Sequence, residues 1–277
     1  MPQSKYIAVL GAGPTGHGIA QLFAAKGHEV VLFDLSGASL SAAMGKIESN
    51  LRFLARNGMD EGRDFSETME RIRLSSNLQE AVSEARFVVE TSAEDLKIKQ
   101  ALFRELEAYC SPFTVIAAHT RSLGISDIVA DMKVKNRVVG TCFWFPPCLI
   151  PLVEVMGSRH TFPEVTDYVC NLLLLMGMRP VVVNRETPGF IGHRLQQALL
   201  KEAMVIVDQG IAAQADVDEV ARTGIGLHLS ALGLFGNGSA ADEELPGTGQ
   251  ELSLMEKILA AGSRSERVRQ HQDSHRE

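Results

Sequence analysis

The stretch that decides the fold begins Lys5-Tyr-Ile-Ala-Val-Leu-Gly11-Ala-Gly13-Pro-Thr-Gly16 and ends Glu29-Val-Val-Leu-Phe-Asp34. An apolar run leads into three glycines spaced Gly-x-Gly-x-x-Gly, and an amphipathic segment then leads into a second apolar run that ends in a carboxylate. This order predicts a strand, a tight turn, a helix and a second strand. It is the pattern of the first βαβ unit of a parallel sheet.

Each part of the turn has a mechanical reason. Gly11 permits the tight turn off the strand, Gly13 removes a Cβ that would collide with a pyrophosphate, and Gly16 lets the helix lie close to the sheet. The backbone around Pro14 and Thr15 carries the unpaired N–H groups and the positive dipole end of the helix, which attract phosphate. The turn therefore predicts a dinucleotide site, and the alternative is an ordinary βαβ turn without a ligand.

Asp34 closes the second strand, where a carboxylate would accept hydrogen bonds from the adenosine ribose hydroxyls and repel a 2′-phosphate. We therefore expect the cofactor to be NAD(H), with NADP(H) left open.

Composition limits the class of protein. With 277 residues, 45% hydrophobic and 22% charged, the chain fits a soluble globular protein of one large or two ordinary domains. The net charge of −7 is spread along the chain, which argues against a nucleic acid or an anionic membrane as a partner. We expect no membrane span, because the longest apolar runs, such as residues 172–178, are too short. Four cysteines without close C-x-x-C spacing predict reduced thiols, a cytoplasmic protein and no metal site.

Strand and helix patterns alternate through the first two thirds of the chain. They predict an α/β protein: a Rossmann-type, doubly wound parallel sheet in residues 1–185 that binds NAD, followed by a smaller all-helical domain in residues 186–277. A long helix is expected to start at Pro188. Residues 233–250, rich in glycine and acidic residues, predict a flexible connection, and the polar residues 263–277 a frayed tail. Further elements are expected at residues 39–57 and 94–109 (helices) and at 87–91, 114–118, 137–143 and 179–183 (strands).

Several blocks resemble one known family over residues 5–234. They are the glycine motif with Asp34, then Val89-Glu90 with Glu94-Asp-Leu-Lys-Ile-Lys99, then Pro146-Pro147 with Ile150-Pro-Leu-Val-Glu154-Val, and Thr187-Pro-Gly-Phe-Ile191. Together they resemble the L-3-hydroxyacyl-CoA dehydrogenase family. The Pro-Pro and Ile-Pro-Leu-Val-Glu blocks are closest to the 3-hydroxybutyryl-CoA dehydrogenase, lambda-crystallin and carnitine-dehydrogenase-like branch.

The resemblance implies a two-domain NAD-dependent enzyme whose helical domain serves dimerisation and substrate binding, so a homodimer is expected. It implies contacts with the cofactor near its nicotinamide end from Glu94 and Lys99, and from His119. The family uses a histidine as general base, oriented by a glutamate, with a serine and an asparagine that bind the substrate oxygen. An imidazole of near-neutral pKa suits that proton transfer.

The chain departs from the family at the positions that carry this chemistry. Cys142 stands at the position of the base and Phe145 at that of an asparagine in the same motif. Arg121 stands where the serine belongs, and His193 replaces a substrate-binding asparagine. Of the polar catalytic set, Glu154 alone is retained.

These replacements leave alternatives open. His193 and Glu154 could handle the proton as general acid or base, or His193 could fill space at a domain seam. Arg121, with Ser122, could orient an anionic substrate group, or Arg121 could pair with Glu154. Cys142 could join His193 and Glu154 as a nucleophile set, or be a small buried hydrophobe with a raised pKa.

The aromatic run after Cys142 offers a substrate pocket. Strand alternation predicts Phe143 and Phe145 on one face and Trp144 on the other. We expect Phe145, and with it Phe143, to line an apolar pocket, although core packing is the alternative.

We therefore expect an NAD(P)H-dependent oxidoreductase that moves a hydride between the nicotinamide and a small-molecule substrate with a C=O or C–OH centre (a 3-hydroxy acid or acyl-CoA) or a C=N centre. One alternative is an imine reductase acting on cyclic or aryl imines in a rewritten, apolar site. The other is a dinucleotide-binding relative without catalysis.

Overall fold

The structure is a computed structural model that describes residues 6–60 and 64–235. The chain divides into two compact units, Met1–Leu195 and Gln196–Glu277. The predicted tail at 263–277 lies outside the described residues, as does the predicted connection at 233–250 from residue 236 onward.

The first unit is built on one eight-stranded sheet with the order β3-β2-β1-β4-β5-β6-β7-β8. Strands β1 to β6 run parallel to their neighbours, whereas β7 pairs antiparallel with β6 and parallel with β8. The predicted Rossmann sheet is therefore confirmed, with two strands of opposite direction added at one edge. The strands are β1 Tyr6–Leu10, β2 Val30–Phe33, β3 Ile72–Ser75, β4 Ala85–Glu90, β5 Val115–His119, β6 Val138–Phe143, β7 Leu152–Gly157 and β8 Arg179–Val183.

Helices cover both faces of the sheet, and apolar side chains from the strands pack into a separate core on each side. Burial of every residue of β1 explains why this segment reads as a continuous apolar run rather than an alternating one. The helices are α1 Pro14–Ala25, α2 Gly37–Arg56, α3 Phe65–Glu70, α4 Leu78–Val82, α5 Leu96–Tyr109, α6 Ile125–Ile128, α7 Pro163–Leu175, α8 Gly192–Asp208, α9 Gln214–Val220 and α10 Gly226–Leu232.

The starts of α5 and α8 differ from the sequence prediction for local reasons. Helix α5 begins after its N-cap Asp95, whose side chain accepts a hydrogen bond from the Ile98 N–H, so Glu94 lies outside the helix. Helix α8 begins at Gly192 rather than at Pro188. The reason is that Gly189 and Phe190 adopt positive φ angles of 85° and 50°, which no helix accommodates.

The second unit is helical over its described residues. It contains the rest of α8, then α9, a π-helical turn at Ala221–Ile225, and α10, and none of these helices contains a buried residue. The predicted smaller helical part after the sheet is confirmed. Within the described chain, no helix combines the length and apolar character that crossing a membrane requires.

Candidate active site

The glycine loop between β1 and α1 is constrained by the protein itself at two positions. Gly11 has a φ of +104°, and a Cβ there would lie 2.8 Å from the Thr91 Oγ1. At Gly16 a Cβ would lie 1.8 Å from the Gly11 carbonyl oxygen. The Thr91 hydroxyl, which sequence reasoning missed, donates to the carbonyl oxygens of Leu10 (2.8 Å) and Gly11 (3.1 Å). Thr91 therefore fixes the glycine loop through hydrogen bonds to its backbone.

Gly13 is different, because no protein atom lies within 4 Å of the position its Cβ would occupy. Helix α1 starts beside it with Pro14 in the first turn, without a side-chain cap and without an acidic residue. The N–H groups of Thr15 and Gly16 thus lie at a positive helix end that no side chain neutralises. This arrangement has the room and the donors that a diphosphate requires.

Asp34 closes this cradle from the end of β2. Its Oδ2 accepts a hydrogen bond of 2.9 Å from the Ala12 N–H, and its Oδ1 accepts one of 2.9 Å from the Ser36 N–H. An ionised carboxylate can accept about four hydrogen bonds, so this half-buried group retains capacity for ribose hydroxyls. The residues therefore fit NAD(H), which is the cofactor expected from the sequence.

Lys99 and Glu90 form an ion pair with both side chains 0% exposed. The ammonium donates to both Glu90 oxygens, at 3.0 and 2.7 Å, and to the His119 carbonyl at 2.9 Å. An ammonium has three N–H donors, so none is left for a cofactor. The direct contact expected of Lys99 is therefore not seen, and the ammonium instead ties the ends of β4 and β5 together.

Glu94 organises the loop after β5. Its Oε1 accepts hydrogen bonds from the Thr120 hydroxyl (2.6 Å), the backbone N–H groups of Arg121 (2.9 Å) and Ser122 (2.8 Å), and the Ser122 hydroxyl (2.8 Å). Burial by itself raises the pKa of Glu94, but these hydrogen bonds outweigh it and lower the pKa to about 2. Glu94 is therefore an ionised anchor that sets the position of Arg121 and Ser122.

His119 ends β5 in a half-buried position, and the Phe143 N–H lies 3.4 Å from its Nδ1. Burial, with the positive charges of Lys99 and Arg121, lowers the pKa of His119 to about 4 against an opposing effect of Glu94. The imidazole is therefore neutral at neutral pH and is a poor proton donor there.

This pKa predicts a pH dependence of stability. In the unfolded chain His119 binds a proton below about pH 6.5, the ordinary histidine pKa. In the folded protein it binds one only below about pH 4. The unfolding free energy therefore falls as the pH decreases, and the share of His119 is about 2 kcal/mol between pH 7 and pH 5. Urea unfolding at the two pH values should show a smaller loss for His119→Gln than for the wild type. Equal losses would refute the assignment.

Cys142 and Glu154 are direct partners across the antiparallel pair of β6 and β7. Cys142 is 5% exposed. Burial, with the negative charges of Glu154 and Glu94, raises its pKa to about 12 against an opposing effect of Arg121. A thiol with this pKa is not a thiolate at neutral pH. The proposed role of Cys142 as a catalytic nucleophile is therefore corrected to that of a buried apolar residue.

Glu154 is 2% exposed and makes its contacts with the chain around the start of α8. Its carboxylate accepts hydrogen bonds from the N–H groups of Ile191 and Gly192 and from the Trp144 indole. No ion pair with Arg121 is found among the described residues, so the pairing considered for these two residues is not seen.

The aromatic run does not lie as strand alternation predicts. Phe143 is 3% exposed and belongs to the core on the α1 side of the sheet, so its assignment to a substrate pocket is corrected to core packing. Strand β6 ends at Phe143, and Phe145 lies beyond it with 59% of its surface exposed. Phe145 therefore remains a candidate for contact with substrate.

Arg121 and His193 are the remaining polar residues that the sequence analysis assigned to the catalytic site. Arg121 is exposed, makes no ion pair with another described residue, and its charge acts on both Cys142 and His119. His193 is half-buried in the first turn of α8, next to Gly192, and its ring makes no hydrogen bond within residues 6–60 and 64–235. The same residues contain no group of three or more metal-ligating side chains.

Comparison with known proteins agrees with this architecture. The chain is 33% identical over 228 residues to the 3-hydroxyadipyl-CoA dehydrogenase of Escherichia coli K12, with 82% of this chain and 48% of that protein covered. It is 32% identical to an L-carnitine dehydrogenase of a Pseudomonas species, with coverage of 83% and 71%. The solved structure of an NAD+-dependent 5-formyl-3-hydroxy-2-methylpyridine 4-carboxylic acid 5-dehydrogenase aligns with a TM-score of 0.78 and 29% identity, covering 84% of this chain and 74% of that one.

The chain spans about half the length of the Escherichia coli relative. Residues 6–187 match the family model of the 3-hydroxyacyl-CoA dehydrogenase NAD binding domain, and residues 189–237 match that of its C-terminal domain. The resemblance noted from the sequence motifs is thereby confirmed. The chain belongs to the 3-hydroxyacyl-CoA dehydrogenase family.

Proposed function

We propose that this protein is an NAD(H)-dependent oxidoreductase that moves a hydride between the nicotinamide and a carbonyl or hydroxyl carbon of a small substrate. The observation that carries the proposal is the contrast within the glycine loop. The fold itself requires Gly11 and Gly16, whereas the space at Gly13 is left free by the protein and lies beside an uncapped helix start. When bound, NADH supplies the hydride.

Arg121 points to an anionic substrate. Its backbone N–H is held by Glu94, and its exposed guanidinium has no carboxylate partner among the described residues. A guanidinium binds a carboxylate through two parallel hydrogen bonds. A 3-hydroxy acid or the corresponding 3-keto acid is therefore our first candidate, and an acyl-CoA thioester is the second.

His193 is our candidate for the proton. Cys142 is held as a neutral thiol and Glu154 is occupied by three donors, so neither replaces an imidazole base. In the direction of reduction, protonated His193 would give its proton to the substrate oxygen. The Ser122 hydroxyl already donates to Glu94, so it can only accept a hydrogen bond from the substrate.

Following NADH absorbance with 3-keto acids, acetoacetyl-CoA and cyclic imines tests the proposal. We expect turnover of a keto acid, and a loss of kcat of about a hundredfold in His193→Gln. Arg121→Gln should raise the KM of the keto acid by about tenfold or more, because a charge-assisted contact is lost. Arg104→Gln, which removes an exposed arginine paired with Asp131, is the matched control and should change neither constant.

The other outcomes are equally decisive. Turnover of cyclic imines alone would establish C=N reduction and contradict the keto acid assignment. Tight NADH binding without any turnover would identify a dinucleotide-binding relative that is not an enzyme.

We also propose that the protein is a homodimer in the cytoplasm. Apolar side chains of α8, among them Leu199, Leu200 and Met204, are about half exposed, which is more apolar surface than one helix ordinarily presents to water. The four cysteines are free thiols, which fits a reducing compartment. Sedimentation at micromolar concentration would show twice the mass of one chain.

A further inference from the structure

The buried carboxylate of Glu154 binds the backbone N–H groups at the start of α8. The Glu154 Oε2 accepts a hydrogen bond of 2.6 Å from the Ile191 N–H and one of 3.1 Å from the Gly192 N–H. The Glu154 Oε1 lies 3.2 Å from the same Gly192 nitrogen. Since Glu154 belongs to β7 and is nearly fully buried, the sheet itself fixes where the helix begins.

Trp144 adds a second contact to the same point. Its indole N–H donates to the Glu154 Oε1 at 3.2 Å. A Cβ at position 192 would lie 2.1 Å from the Trp144 Cζ2 and 2.9 Å from the Glu154 Oε1. Gly192 is therefore the residue type that lets the indole and the carboxylate close on the helix start.

The backbone before α8 adds a third constraint on the start of this helix. Phe190 has a φ of 50°, which is an outlier for a bulky side chain, and its ring is fully buried in the core. Such a conformation persists only where the surroundings determine it strongly. The helix start is thus fixed by a buried carboxylate, an indole and a core anchor.

We propose that Glu154 and Trp144 are positioning residues for His193. His193 follows Gly192 directly, so the contacts that fix the Gly192 backbone also fix the point from which the imidazole projects. A proton donor must be held close to its working geometry, and small displacements cost large factors in rate. The inference rests on the proposed function, because it takes His193 as the proton donor.

The partners of Glu154 support this reading. Cys142 lies opposite Glu154 in the strand pair, but within the described chain its thiol makes no hydrogen bond with the Glu154 carboxylate. Every hydrogen bond of the carboxylate that the structure shows goes to Trp144, Ile191 or Gly192. The hydrogen bonds of the carboxylate therefore go to Trp144 and the start of α8 and not to its neighbour in the sheet.

Two variants of the full-length protein test the proposal. Glu154→Gln keeps the shape of the side chain but turns N–H donors toward the backbone N–H groups, and Trp144→Phe keeps the ring and removes the indole donor. We expect kcat to fall about tenfold in Glu154→Gln and less in Trp144→Phe, with the KM of NADH within about twofold of wild type. If Glu154→Gln does not fold, Trp144→Phe carries the test.

Glu186→Gln is the matched control. The Glu186 carboxylate accepts hydrogen bonds of 2.6 and 2.5 Å from the Ser126 N–H and hydroxyl at the start of α6, so it caps another helix, and among the described residues it makes no hydrogen bond with α8. We expect this variant to lose stability while kcat stays within about twofold of wild type. Equal losses of kcat in Glu154→Gln and Glu186→Gln would overturn the proposal.

A double variant separates positioning from general stability. In a His193→Gln background, Glu154→Gln should lower kcat no further, because the residue it positions is already gone. A further tenfold loss in that background would overturn the positioning role. If His193→Gln alone keeps the wild-type kcat, the proton assignment within the proposed function fails instead.

A spectroscopic readout does not depend on turnover. Trp144 is the only tryptophan in the chain, so the intrinsic tryptophan fluorescence reports on this contact alone. Glu154→Gln should shift the emission, because the indole loses a charged acceptor, whereas Glu186→Gln should leave it unchanged. Unchanged emission in Glu154→Gln would show that the contact is absent in solution and would overturn the proposal.

Discussion

Replacing Gly16 with alanine is expected to abolish NADH binding and to destabilise the fold. The added methyl carbon would lie 1.8 Å from the Gly11 carbonyl oxygen, far inside van der Waals contact. The clash is with a backbone oxygen, and the backbone of α1 fixes the position of the Cβ, so α1 must move away from the loop. We expect a loss of about 3 kcal/mol or more in unfolding free energy, measured by urea denaturation.

The matched variant Gly13→Ala separates cofactor binding from folding. Gly13 has an ordinary φ of −68° and no protein atom near its missing Cβ. We expect stability to change by under about 1 kcal/mol. NADH affinity should fall about a hundredfold, because the methyl group fills the space meant for the diphosphate. Fluorescence titration with NADH measures this, and unchanged affinity would contradict the location of the site.

Gly45→Ala is a control in which the added methyl group should stabilise the protein. Gly45 lies exposed inside α2, and no atom is within 4 Å of the position of its Cβ. Gly45→Ala should therefore stabilise the protein by about 1 kcal/mol through helix propensity and leave NADH binding unchanged. If all three alanine variants behaved alike, the structural distinction between these glycines would be wrong.

Replacing Lys99 with methionine is expected to cost about 3–5 kcal/mol of unfolding free energy, because it leaves the Glu90 carboxylate buried without its counter-charge. Both side chains are 0% exposed and their shortest N–O distance is 2.7 Å. The double variant Glu90→Gln with Lys99→Met should recover a large part of the loss. A neutral amide can still accept the hydrogen bond that the Ser92 N–H gives Glu90 at 2.6 Å.

Arg104→Met is the control for this pair. Arg104 and Asp131 form an ion pair at 3.3 Å with 57% and 51% of their side-chain surfaces exposed. Breaking an exposed pair costs under about 1 kcal/mol. Similar losses in Lys99→Met and Arg104→Met would show that the buried pair is hydrated in solution, contrary to the structure.

Much of the fold could be predicted because its signals are local. The apolar runs at 114–118 and 137–143 were expected as strands and are observed as Val115–His119 and Val138–Phe143. The glycine spacing predicted the turn, since tight turns and close helix packing select glycine by geometry within a few residues. The edge strand Ile72–Ser75 was missed, because a segment of four residues with its two central residues exposed gives a weak pattern.

The substrate side could be predicted less well because its residues depend on distant partners. The family resemblance implied that Lys99 contacts the cofactor, but its ammonium binds Glu90 and the His119 carbonyl in the interior. Strand alternation predicted Phe143 and Phe145 on the same face. The strand ends between them, however, and only Phe143 packs in the core. The pattern of Cys142, Glu154 and His193 suggested a nucleophile set, whereas burial keeps the Cys142 pKa near 12.

The sequence by itself determined the Rossmann sheet, the dinucleotide cradle and Asp34 at its edge, because periodicity and glycine geometry are properties of neighbouring residues. Only the tertiary structure decided what Glu154 does. Its partners Ile191 and Gly192 are 37 and 38 residues away in the chain. A carboxylate buried in a sheet takes whichever donors the fold brings to it. Because packing brings the N–H groups of Ile191 and Gly192 to Glu154, the carboxylate fixes the start of α8, from which His193 projects.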